Sequence, residues 1–141
     1  MNSKWILVTG GAGFIGSNFV PYFLERYPGY SIVNIDKLTY AGNLDNLSEV
    51  NEMGSYEFIR GDICNRELIN YIFDKYNISG VIHFAAESHV DRSIMNPMEF
   101  IMTNIVGTVS LLNAAKNLWK GNMDGKIFYH VSTDEVWITW C

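Results

Sequence analysis

Apolar and polar positions fall into blocks of two lengths. Short continuous apolar runs cover residues 5–8, 31–35, 56–60, 81–85 and 126–131. Runs of this length, bounded by polar or glycine-rich stretches, predict strands buried on both faces. Longer segments between them repeat their apolar residues every three or four positions and predict helices over residues 14–27, 65–76 and 97–118, with a short helical turn over 44–50. Leu68, Ile69, Ile72 and Phe73 share one face of the second helix. Phe100, Ile101, Asn104, Ile105, Thr108, Leu111, Leu112, Ala115 and Leu118 form the stripe of the third. Pro28-Gly29 closes the first helix, Pro97 opens the last, and Pro21 inside the first predicts a kink. Regular alternation of strand and helix implies an α/β fold, a doubly wound parallel sheet with ligands at the carboxyl ends of its strands.

Those carboxyl ends carry the unusual residues. Thr9-Gly10-Gly11-Ala12-Gly13-Phe14-Ile15-Gly16 joins the first strand to the first helix. A strand, a tight glycine turn and a helix N-terminus together form an anion site, because unpaired backbone N–H groups and the helix dipole point at a phosphate pair. The spacing is G-x-x-G-x-x-G, through Gly10, Gly13 and Gly16. Asp36 ends the second strand 20 residues after Gly16. An acidic side chain there accepts hydrogen bonds from adenosine ribose hydroxyls and repels a 2′-phosphate, which favours NAD over NADP. Lys37 follows directly and softens that preference, and an acidic residue opening a loop is the plainer alternative for Asp36. Asp62, after the third strand, lies where it meets the adenine amino group. The small pair Ala85-Ala86 lets a flat cofactor approach the backbone. Glu87, Ser88, His89, Asp91 and Arg92 then form either a solvated loop or part of the same crevice. After the fifth strand, Ser132-Thr133-Asp134-Glu135 sets two carboxylates beside a hydroxyl. Such a pair divides acid and base work, or caps and opens a following helix.

Composition narrows the function classes. The chain has 141 residues, 48% hydrophobic and 18% charged, which suits one globular domain. Its net charge of −5 and lack of a basic block argue against nucleic acid. Cys64 and Cys141 have no metal-binding or redox spacing, so no metal site is expected. No apolar run reads as long enough to span a bilayer and no signal-peptide pattern opens the chain, so the expected location is cytoplasmic, with no membrane partner.

Several stretches resemble one known family: 9–16, 36–44, 61–64, 85–93, Thr103-Asn104-Ile105-Val106-Gly107-Thr108 and 130–136. They are similar to the N-terminal part of the extended short-chain dehydrogenase/reductases. Within that group they are most similar to the nucleotide-sugar 4,6-dehydratases, those acting on dTDP-glucose in particular. Thr133-Asp134-Glu135 discriminates best, since sugar-nucleotide epimerases of this fold lack the acid pair. The resemblance implies a Rossmann-type domain over residues 1–136 that binds NAD, and a nucleotide sugar as substrate. Gly10, Gly13, Phe14, Ile15 and Gly16 would hold the pyrophosphate. Asp36, Lys37, Leu38 and Thr39 would surround the adenosine ribose, and Asp62 and Ile63 would border the adenine. Ala85, Ala86, Ser88 and Thr103 would line the nicotinamide half, while Ser88 and His89 would reach the sugar. The implied reaction oxidises C4 of glucose, eliminates water across C5–C6 and returns the hydride to C6. Glu135 would remove the C5 proton, Asp134 would protonate the departing C6 hydroxyl, and Thr133 would bind the C4 hydroxyl. Family members form homodimers.

The pattern departs after Val136. The family continues with Tyr-Gly, a helix bearing Tyr-x-x-x-Lys, and a substrate domain; this sequence reads Trp137-Ile138-Thr139-Trp140-Cys141. Residues 137–141 therefore read as an aberrant tail on a sheet truncated after about its fifth strand, without the substrate domain, and no turnover is expected from these residues alone. Tyr71-Ile72-Phe73-Asp74-Lys75 reads as a coincidence on an amphipathic helix. A non-catalytic NAD-binding piece, or a related enzyme for another nucleotide sugar, are the other readings.

Overall fold

In the computed structural model, residues 4–39 and 42–132 are described. The expected alternation is present: β1 (Lys4–Thr9), α1 (Phe14–Arg26), β2 (Tyr30–Asp36), a 3₁₀ turn (Leu44–Leu47) running into α2 (Ser48–Asn51), β3 (Tyr56–Arg60), α3 (Arg66–Tyr76) and β4 (Gly80–His83). Then come α4 (Val90–Met95), α5 (Pro97–Phe100), a π-helical segment (Ile101–Gly107), α6 (Thr108–Trp119) and β5 (Ile127–His130). All the strand pairs are parallel, in the order β3-β2-β1-β4-β5. The chain leaves β1 toward β2 and β3, then crosses back to β4 on the other side of β1. This reversal opens a crevice at the carboxyl ends of β1 and β4, the switch point where doubly wound sheets bind ligands.

Strand side chains alternate between two cores. Leu7, Val33 and Val81 meet Ile69, Ile72 and Phe73 of α3 and Leu111, Ala115 and Trp119 of α6. Ile6, Val8 and Ile32 meet Val20 and Leu24 of α1, with Leu47 and Val50 behind. Local signals set the helix ends. Asn65 caps α3 by accepting from the Leu68 N–H at 3.1 Å, and Asn77 closes it in the left-handed conformation at φ +47°. Helix α1 continues through Pro21.

Four expectations change. Strand β4 ends at His83, not Ala85: Phe84 N still reaches Thr9 O at 3.0 Å, but Ala85 N donates to the Thr9 side chain and not to a strand carbonyl. Residues 90–95, read as loop from their polar cluster, form α4. The last long helix is interrupted by the π-helical segment, and its proposed stripe is only half buried. Leu111 and Ala115 are covered, while Ile101, Ile105 and Leu112 are exposed, since periodicity marks an apolar face without showing that anything covers it. The run Pro97–Trp119, 23 residues of mean hydropathy 1.2, is long and apolar enough to cross a membrane by length and composition. Thr103, Asn104, Asn113 and Lys116 interrupt it, so no long continuous apolar run marks it in the sequence. Here its second half packs on the sheet through Leu111, Ala114 and Trp119.

Candidate dinucleotide site

The crevice begins at the glycine turn. Gly10 has φ +69°, and a Cβ there would lie 2.7 Å from Ala85 N, so only glycine lets the turn pass beside the β4 segment. A Cβ on Gly16 would lie 2.5 Å from Gly10 O, so the first turn of α1 sits against the loop. Gly13 precedes α1 and no side chain caps the helix. The Phe14 and Ile15 amides therefore have no partner within the helix; they follow Gly13, which lines the crevice, and amides so placed can bind an anion. Both side chains point outward, 85% and 60% exposed.

The turn is fastened from below by residues that periodicity did not single out. Asn34, fully buried in β2, accepts from Gly11 N at 3.0 Å and donates to the Tyr56 hydroxyl at 2.9 Å. Asp36 ties the turn to β2: its carboxylate accepts from Ala12 N at 3.0 Å and from Leu38 N at 2.8 Å. Leu38 takes the left-handed conformation at φ +55°, which an Asx-type bond to Asp36 supports. Each carboxylate oxygen keeps a further acceptor position for a ribose hydroxyl.

Asp36, Lys37, Thr39, Asp62 and Ile63 line the crevice together with Gly10, Gly13, Ala85, Ala86, Thr103 and their neighbours, Glu87 among them. Lys37 Nζ lies 2.8 Å from Asp62 Oδ2. The hydrogen bond that Lys37 donates to Asp62 raises the Lys37 pKa against the opposing effect of burial. Burial pushes the Asp62 carboxyl up, but Lys37 and the Cys64 N–H, donating at 2.9 Å, outweigh it and hold it below its ordinary value. Phe14, Ile15, Gly16, Leu38 and Ser88 do not line the crevice itself. Gly16 is buried behind the turn, and Ser88 and His89 are exposed at the end leading into α4. Thr133, Asp134 and Glu135 lie outside the described residues.

A second network holds the β4 end. Ala85 N donates to Thr9 Oγ1 at 3.2 Å, and Thr9 Oγ1 lies 2.6 Å from His83 Nδ1. His83 Nε2 lies 2.9 Å from Thr108 Oγ1, which donates to Asn104 O at 2.8 Å. Because the Thr108 hydroxyl hydrogen is spent on Asn104 O, Nε2 carries the imidazole proton and Nδ1 accepts from Thr9. Burial, with a smaller push from the His130 ring 5.0 Å away, lowers the His83 pKa to about 4, so the ring is neutral. Asn104 also clamps the following segment, its carboxamide accepting from Glu87 N and donating to Glu87 O, each at 2.9 Å. In sequence Asn104 belongs to the apolar stripe and to the family-like stretch 103–108, with no role of its own assigned. Tyr71 and Lys75 take no part: Lys75 bonds the Tyr76 hydroxyl at 2.8 Å and Glu57 at 3.4 Å, and none of them lines the crevice. Among the described residues no group of His, Cys, Asp and Glu could hold a metal ion.

The glycine turn at the uncapped start of α1 fits a dinucleotide: Gly10 and Gly13 line the crevice without side chains, and Asp36 presents oxygens beside them. The model of the family described as GDP-mannose 4,6 dehydratase matches residues 7–137. The chain is 52% identical over 136 residues to the dTDP-glucose 4,6-dehydratase of Escherichia coli, an alignment covering 94% of this chain and 37% of that enzyme. The crystal structure of dTDP-glucose 4,6-dehydratase from Bacillus anthracis in complex with NAD superposes with a TM-score of 0.80 at 41% identity, covering 95% of this chain and 39% of that one. UDP-glucose 4-epimerase from Thermotoga maritima, solved with UDP-glucose, gives 0.72 at 34%, covering 82% and 35%. The chain thus spans well under half the length of these relatives, and it belongs to the GDP-mannose 4,6 dehydratase family.

Proposed function

We propose, with that membership as premise, that this chain carries the NAD-holding part of a nucleotide-sugar 4,6-dehydratase converting dTDP-glucose to dTDP-4-keto-6-deoxyglucose. The observation that carries the reading is the uncapped start of α1 opening beside Asp36 at the sheet's switch point. Bound NAD would accept a hydride from the sugar and return it, so no net redox change results. The chain's residues do the rest. The Phe14 and Ile15 amides hold the pyrophosphate, with Gly10, Gly13 and Gly16 giving it room. Asp36 accepts from the ribose, with Lys37, Leu38 and Thr39 around it, and Asp62 and Ile63 border the adenine. Ala85, Ala86, Ser88 and Thr103 face the nicotinamide half. Ser88 and His89 reach toward the sugar.

Once C4 of the sugar is a ketone, its C5 proton is acidic. Glu135 removes that proton, Asp134 gives one to the departing C6 hydroxyl, and Thr133 binds the oxygen on C4. The likeness to a UDP-glucose 4-epimerase supports a second reading, a related enzyme for another nucleotide sugar; the pair Asp134-Glu135 favours the dehydratase. A cytoplasmic homodimer completes the proposal, the latter supported by the exposed apolar row Met98, Ile101, Met102, Ile105, Val109 and Leu112.

The test joins residues 1–136 to the remainder of a related 4,6-dehydratase and follows the 4-keto-6-deoxy product by mass spectrometry. Glu135→Gln is expected to cut turnover by about 10²–10⁴ while NADH-like absorbance still accumulates. Asp134→Asn is expected to slow loss of the C6 hydroxyl, and less so with a better leaving group at C6. Near-normal turnover in both variants contradicts the assignment.

A further inference from the structure

Lys37 follows Asp36 directly, and in sequence it reads as a cation able to tolerate a 2′-phosphate. Its position gives the opposite sign. Lys37 Nζ is drawn to Asp62 Oδ2 at 2.8 Å, across the wall of the crevice from the glycine turn. Asp62 is itself fixed, since its other oxygen accepts from Cys64 N at 2.9 Å. Asp36 is fixed likewise by Ala12 N and Leu38 N. The ammonium is therefore held by one anchored carboxylate, Asp62, while the Asp36 carboxylate is bonded instead to the backbone N–H groups of Ala12 and Leu38.

Resting on the dinucleotide reading above, we propose that Asp62 is a specificity residue: by holding Lys37 it denies a cation to the ribose 2′-position and lets Asp36 exclude a 2′-phosphate. The raised pKa of Lys37 agrees with an ammonium committed to that bond. Both dinucleotides share the adenine and the pyrophosphate, so the ratio of their affinities isolates the 2′-position from any other contact of Asp62. Discrimination of this kind works by an unfavourable charge against the wrong ligand.

The experiment titrates the chain and two variants with NAD and NADP by calorimetry at low salt, after circular dichroism shows each is folded. Asp62→Asn keeps an acceptor for Cys64 N but drops the charge that holds Lys37. It is expected to narrow the preference for NAD by about two- to fivefold, the range of an exposed charge pair, and added salt should erase the change. Lys37→Met removes an ammonium already withheld from the 2′-position and is expected to leave the preference within about twofold of the parent; it keeps the test open should Asp62→Asn misfold. If Asp62→Asn shifts both affinities equally, or if Lys37→Met widens the preference beyond that, Asp62 does not withhold the cation and has no part in selectivity while dinucleotide binding stands. If the parent chain binds neither nucleotide, the dinucleotide reading fails and this inference fails with it.

Discussion

Lowering the pH from 7.5 to 5 should destabilise this protein through one residue, His83. The ring bridges Thr9 and Thr108 as a neutral imidazole, with Nδ1 accepting and Nε2–H donating. Protonation puts a hydrogen on Nδ1 against the Thr9 hydroxyl, which already accepts from Ala85 N. It also places a charge in a core where the ring is 1% exposed. With a pKa of about 4 when folded against 6.5 when unfolded, the unfolded chain binds more protons between those values. Stability is therefore complete above pH 6.5 and falls as pH drops toward 4. Linkage gives a loss of about 2 kcal/mol between pH 7.5 and 5, a sizeable share of the ~5–15 kcal/mol typical of a domain. The assay is urea unfolding at both pH values for the parent and for His83→Gln. Carboxylates titrate in both proteins, so the difference of differences belongs to His83. The variant is expected to be less stable at pH 7.5, by about 1–3 kcal/mol for the network it disturbs, but to lose about 2 kcal/mol less on acidification. Equal pH dependence in the two proteins, or a His83 imidazole that titrates near 6.5 by NMR, refutes the reasoning.

Other substitutions test the floor of the site. Asn34→Leu removes the partner of Gly11 N and of the Tyr56 hydroxyl. Leaving those groups buried and unpaired should cost about 1–3 kcal/mol each by urea unfolding and should weaken dinucleotide binding, whereas unchanged stability would mean that water or movement satisfies them. Gly10→Ala places a Cβ 2.7 Å from Ala85 N at φ +69°; it should destabilise by at least ~1 kcal/mol and abolish measurable binding of NAD, which a calorimetric titration checks.

The parts of the fold that were legible in sequence are those fixed by local chemistry. The glycine spacing after an apolar run set the β1–α1 turn, and the 20-residue distance to Asp36 placed its carboxylate beside that turn, where it now bonds Ala12 N. What escaped depends on pairings across the sheet. Asn34 lies within the run 31–35, and its residue type was given no role there. Its signal was its parity with Ile32, the same face of β2, where an amide needs both a donor and an acceptor. His83 and Thr108 are 25 residues apart and Thr9 and His83 are 74 apart, so no spacing rule joins them. Burial of the last long helix was read from periodicity alone, which is blind to whether a partner covers the stripe; Ile105 shows the failure at 58% exposed. Lys37 was read by its neighbour in sequence, while its behaviour follows from Asp62 on the next strand's loop.

The central claim is that the crevice between β1 and β4 holds NAD through the open amides of α1 and the carboxylate of Asp36. Its most direct test is a calorimetric titration of the chain with NAD and, separately, NADP. One saturable NAD site per chain is expected, tighter than that for NADP, with the preference narrowed by Asp36→Ala. Absence of NAD binding by the folded chain, or NADP binding as tight or tighter, would contradict it.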